Sequence, residues 1–374
     1  MSMDQVIVTA EAAASTPFLG ARLAQKLGPG PFACVMLFAA PETDLAALVT
    51  DFRVNGPVIG CTTAGEISTE GYSEGGVVAL GLPAALFDAE TIFVPNLSVM
   101  DREGLIGQLI RARAALAQRR PDWDSEFAFL MVDGLSTRED ELTATLASGL
   151  GPVPLFGGSA ADGTRFRQTF VMQGGRLWRD AAVLVMVRSL CPVRVFNLDH
   201  LRPTETRMVV TEADPAQRIV RKINAEPAAQ EYARLLGKDP GQLDTFTFAA
   251  HPVVVRIGGQ HHVRAIQQVA PNGDLVFFAA IDEGLVLTLA EPEDMVAHLD
   301  RELRQLSQPG SPAVILACDC ILRRMEALEK QRYGAMSHLL RQNRVIGFST
   351  YGEQLNAMHV NQTMTGVAIY PPDP

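Results

Sequence analysis

"VIGCTTAGEI" at residues 58–67 returns as "VIGFSTYGEQ" at residues 345–354, almost the whole chain later. An apolar run, "FACVMLFAA" (32–40), precedes the first copy and reads as a buried strand. "ETDLAALVTDFR" follows at helical spacing, with Thr43 as the expected N-cap. Then come strand "PVIGCTT", a glycine-rich bend and strand "GGVVALGL". The same order recurs in "EFAFLMVDGLS" (126–136), "EDELTATLASGL", "VPLFGGSAADG" and "AAVLVMVRSL". It recurs again in "PAVILACDC" (312–320), "RYGAMSHLLRQN", "RVIGFSTYGEQ" and "TGVAIYPP". The fold class is therefore α/β (α+β): mixed sheets flanked by helices, built on a strand–helix–strand–bend–strand unit used three times. A bend that leads straight into a strand reverses the chain, so purely parallel sheets are excluded.

The glycines have local roles. Gly60 and Gly347 permit close backbone approach, and Gly65 and Gly352 are expected at positive φ. Thr62, Thr63, Ser349 and Thr350 are placed to satisfy backbone groups freed by the bends, and Glu66 and Glu353 follow at the same offset.

The 374 residues are 47% hydrophobic and carry a net charge of −10, which excludes nonspecific binding to nucleic acid or acidic membranes. No apolar run is long enough for a membrane helix. The opening "MSMDQVIVTAEAAASTP" has neither a basic n-region nor an apolar h-region, so a cytoplasmic location is expected. Five scattered cysteines argue against a disulfide framework.

Between the second and third units the texture changes. Residues 193–214 alternate like hairpin strands, and 218–237 read as a strand turning at Glu226-Pro227 into a helix that stops at Gly237. Residues 252–290 alternate strongly around a "PNGD" turn at 271–274. Two domains are expected, 1–220 and 221–374, sharing an extended interface.

"VIGCTTAGEISTEGYSEGGVVAL", "NAEPAAQEYARLLG", "RAIQQVAPNGDLVFFAAIDEGLVL", "ILACDCILRR" and "VIGFSTYGEQLNAMHVNQTMTGVAIY" together resemble the FIST family over about residues 30–370. The resemblance implies FIST N-terminal and C-terminal parts and a role in bacterial signal transduction. The "NAMHVNQT" stretch (356–363) resembles the branch whose members bind haem b and sense nitric oxide. Such a protein is not an enzyme. It acts on a separate histidine kinase or on a diguanylate cyclase or phosphodiesterase, and a homodimer is compatible with the open edges of mixed sheets.

A sensor haem needs an axial donor in an apolar pocket. His359 is the first candidate for the metal, with Asn361 beside it, since alternation places His359, Asn361 and Thr363 on one face. His251 is the second. Arg256, Arg264 and Arg323 are the cations expected at the propionates, with Arg324 adjacent. Cys318 and Cys320 rank below the histidines because "ILACDC" reads as a core strand. His261 and His262 read as loop residues, His298 and His338 as structural residues on helices, and His200 has no supporting context. The alternative reading is a FIST-type sensor of a small organic ligand such as an amino acid. Its pocket is formed by the repeated bends, with Thr62, Thr63, Ser349, Thr350, Glu66 and Glu353 as polar contacts. No P-loop, GxSxG or HExxH motif is present.

Overall fold

The computed structural model describes residues 6–257, 259–308 and 310–372. The first unit contains β1 (Val8–Ala13), α1 (Leu19–Leu27), β2 (Phe32–Ala39), α2 (Leu45–Asp51), β3 (Val58–Thr62), hairpin β4–β5 (Glu66–Ser68, Gly71–Ser73) and β6 (Gly76–Pro83). The second repeats it with β7 (Phe87–Val94), α3 (Arg102–Arg119), β8 (Ser125–Val132), α4 (Glu139–Leu150), β9 (Leu155–Ser159), hairpin β10–β11 (Val171–Gln173, Arg176–Trp178) and β12 (Ala182–Ser189).

The third unit opens with β13 (Val193–Leu198) and is then interrupted. The interruption holds β14 (Leu201–Asp214), β15 (Ile219–Ile223), β16 (Glu226–Pro227), α5 (Ala228–Leu236), α6 (Thr245–Ala250), β17 (Val253–Ile257), β18 (Gln260–Arg264), β19 (Ile266–Val269), β20 (Leu275–Phe277) and β21 (Val286–Pro292). The unit resumes with α7 (Met295–Leu306), β22 (Val314–Cys320), α8 (Ile321–Glu329), α9 (Tyr333–Gln342), β23 (Val345–Thr350), hairpin β24–β25 (Glu353–Leu355, Met358–Val360) and β26 (Met364–Ile369).

Each unit builds one six-stranded mixed sheet, and no sheet keeps its own hairpin. The orders are β1-β6-β2-β3-β10-β11, β7-β12-β8-β9-β24-β25 and β13-β26-β22-β23-β4-β5. The hairpin of unit two completes the sheet of unit one, that of unit three completes unit two, and that of unit one completes unit three. The pairs β2–β3, β8–β9 and β22–β23 are parallel, and every other pairing in these three sheets is antiparallel. Each exchanged hairpin covers the strand edge that would otherwise stay open.

The inner faces of the three sheets share one core. Phe38 of unit one stacks on Phe348 of unit three at 4.7 Å and meets Phe129 of unit two edge-on at 6.3 Å. The outer faces carry their own helices: α1 and α2 on sheet one, α3 and α4 on sheet two, α7 and α9 on sheet three. Burial on both faces explains the continuous apolar runs of the central strands. The inserted segment forms its own sheet and core around Tyr232, Phe248 and Phe277.

Several local expectations are corrected. Asp44, not Thr43, caps α2 by accepting the Ala47 amide. Residues 193–214 are not one hairpin, because β13 joins sheet three while β14 enters the inserted sheet. His261 and His262 lie in strand β18, not in a loop. No helix among the described residues is long and apolar enough to cross a membrane.

Candidate functional site

The hairpin exchange brings the two copies of the opening motif into contact. The Ala64 amide donates to the Ser349 carbonyl at 2.9 Å, and the Ser349 amide donates to the Gly65 carbonyl at 2.7 Å. Strand β4 then pairs with β23, with Glu66 opposite Phe348. Gly65 adopts φ +118°, and a Cβ there would overlap the guanidinium of Arg324, which reaches across from α8. Arg324 donates to the Ser73 carbonyl at 2.8 Å, the Tyr333 hydroxyl at 3.0 Å and Glu74 at 3.2 Å, and it lies over the Tyr72 and Tyr333 rings. Its Nε is buried and has no partner among the described residues.

Beside Arg324 opens a cleft of about 420 Å³. Thr63, Gly65 and Glu66 supply one wall, Glu42 and Glu74 the rim, and Ile321, Met325 and Leu328 of α8 an apolar wall. The Thr63 hydroxyl donates to Glu66 at 2.6 Å, and the Gly76 amide donates to it at 3.2 Å. Burial nevertheless pushes the Glu66 carboxyl up to about 7, against the pull of these hydrogen bonds and of Arg324. This carboxyl therefore changes charge near neutrality.

The third-unit bend repeats the pattern. Thr350 and Thr363 donate to Glu353, whose carboxyl burial raises to about 8. Gly352 is not at positive φ. It is required instead by a close approach: a Cβ there would overlap the His359 ring and lie 2.8 Å from Nδ2 of Asn361. His359 thus lies on Gly352 as Arg324 lies on Gly65.

His359, Asn361 and Arg264 come together, since Arg264 donates to the His359 carbonyl at 3.4 Å. The His359 imidazole is 1% exposed, and burial lowers its basicity. Its Nδ1 accepts from Gln354 at 3.4 Å, and its Nε2 is turned onto Gly352, 2.8 Å from the position a Cβ would take. As folded, Nδ1 is engaged by Gln354 and Nε2 faces the bare Cα of Gly352, so the imidazole would have to turn away from the bend to take an axial position.

The other haem candidates are dispersed. His251 caps the C-terminus of α6 and is half-buried. Arg256 is exposed on β17. Arg323 is fully buried between Asp319 (2.8 Å) and Nδ1 of His200 (2.8 Å), with Nε2 of His200 meeting Glu326 at 2.9 Å, so it cannot reach a propionate. Cys318 and Cys320 are buried thiols raised by desolvation. Among the described residues no three His, Cys, Asp or Glu side chains gather around a metal position.

Sequence reasoning missed His200, Gln354, and the buried Arg218–Glu139 ion pair that ties the inserted sheet to α4. Each acts through a partner 79 or more residues distant: Glu139 for Arg218, Glu326 for His200 and Ser159 for Gln354.

The FIST N domain matches residues 33–226 and the FIST C domain residues 228–356. The chain belongs to the FIST family. FIST domains are sensory modules of signal transduction. The chain is also similar to an uncharacterized protein of Methanocaldococcus jannaschii, 26% identical over 284 residues. That match covers 69% of this chain and 53% of the relative, so it spans about half of that protein's length.

Proposed function

We propose that this FIST protein is a non-enzymatic sensor of a small organic molecule that carries both an acidic and an amino group, an amino acid being the simplest case. The cleft at Arg324 receives it. The observation that carries this reading is the unpartnered Nε of a buried guanidinium beside a carboxyl that titrates near neutrality. The acidic group of the ligand meets Arg324, the ammonium meets Glu66 and Glu74, and the side chain rests on Ile321 and Met325. Occupancy alters how α8 and the first hairpin hold each other. A separate histidine kinase or cyclic-di-GMP enzyme reads that difference, as linkage requires. A haem-based nitric oxide sensor needs an axial donor with an open side, and His359 would have to leave its contacts with Gln354 and Gly352 to supply one.

Calorimetry against the twenty amino acids tests this reading. Saturable binding is expected for at least one, weakened on the order of tenfold or more by Arg324→Met, the size of a lost charge-assisted hydrogen bond. Binding should tighten as pH rises through about 7, because Glu66 ionises and faces the ammonium. No saturable amino acid, together with a sharp Soret band on haemin addition that His359→Ala abolishes, would refute it.

A further inference from the structure

The bend at Gly352 is the internal counterpart of the one at Gly65, but it is roofed by the inserted segment. Arg264, at the end of β18, reaches the His359 carbonyl, and Gln362 donates to the Ala249 carbonyl of α6 at 2.8 Å. Beneath this roof three fully buried carboxamides are incompletely satisfied. Among the described residues, Oε1 of Gln354, both Oδ1 and Nδ2 of Asn361, and Oε1 of Gln362 have no hydrogen-bond partner. A buried polar atom left unpaired costs about 1–3 kcal/mol, so four within nine residues call for partners beyond the protein, ordered water or a ligand.

Arg264 is incomplete in the same sense. It is 8% exposed and donates to the carbonyls of Val263 (3.1 Å) and His359 (3.4 Å); among the described residues Asp140 favours its charge from a distance, and no carboxylate lies at ion-pair distance. A guanidinium out of water calls for an anion.

We infer that this cluster is a second ligand site, separate from the Arg324 cleft, for a short hydroxycarboxylate. The carboxylate accepts from Arg264 and from Nδ2 of Asn361. The hydroxyl donates to a carboxamide oxygen of Gln354, Asn361 or Gln362. All of these groups are buried, so the occupant is enclosed and short. It enters when the roof of β18 and α6 lifts from hairpin β24–β25, so occupancy fastens the inserted sheet to the three-unit body.

Calorimetry with glycolate at neutral pH tests the site. Wild type and Arg324→Met should bind glycolate equally. Arg264→Met and the nearly isosteric Asn361→Asp, which sets a carboxylate against the ligand, should each weaken it on the order of tenfold or more. Acetate, lacking the hydroxyl, and glycolamide, lacking the charge, should bind more weakly. Should Arg264→Met fail to fold, Asn361→Asp decides. The inference is overturned if wild type gives no saturable binding, which would leave only buried water among the carboxamides. It is equally overturned if the loss follows Arg324→Met, which would place glycolate in the open cleft, or if Asn361→Asp binds as wild type does.

Discussion

At the scale of the residue, the two glutamates of the repeated bends couple folding to pH above the ordinary carboxyl range. Burial lifts Glu66 to about 7 and Glu353 to about 8, above the ordinary value of 4.5. The folded state therefore holds protons that the unfolded chain releases. Stability from these groups is full below pH 4.5. It is lost as pH rises, through about 7 for Glu66 and about 8 for Glu353, at a slope approaching 1.4 kcal/mol per pH unit for each group. Urea titrations across this range should show the decline, and Glu66→Gln with Glu353→Gln should flatten it. The motif itself was legible in the sequence, because glycine, hydroxyl and acid recur at fixed offsets. What lies on each glycine was not. Arg324 sits 259 residues after Gly65, and His359 turns back on Gly352 only because β25 pairs so tightly with β24.

At the scale of the element, three equivalent glycines set the strand spacing. Gly60 faces Leu37, Gly157 faces Leu130 and Gly347 faces Ala317 in the parallel pairs. A Cβ at each would collide with the opposing carbonyl, most severely at Gly347 and least at Gly60. Alanine substitutions should destabilise in that order, from about 1 kcal/mol to more than about 3 kcal/mol, measured by denaturant unfolding. Helices and strands were readable here because burial on both faces writes unbroken apolar runs. The hairpin after each bend was not, because its strands are only three residues long and pair with another unit.

At the scale of the whole molecule, each of the three repeated-unit sheets depends on a neighbour. A fragment of residues 1–220 lacks β22 and β23, where its β4–β5 hairpin pairs, and lacks β24, which pairs with its β9. Neither 1–220 nor 221–374 alone should give a dispersed amide spectrum, whereas the two fragments co-expressed should. The threefold repetition could be read from the sequence, but the cyclic exchange could not, since periodicity records which segments are alike and not which ones pair.

That exchange has a consequence for where such a chain can come from. One unit by itself has an exposed sheet edge and a hairpin with nothing to bind. Two units leave the same pair of loose ends. Three close the circle, as three separate subunits about a threefold axis would. Covalent linkage therefore adds no contact that an assembly of single-unit chains would lack. It leaves the copies free to diverge, so that one bend keeps an open arginine pocket while its counterpart is sealed beneath an inserted sheet.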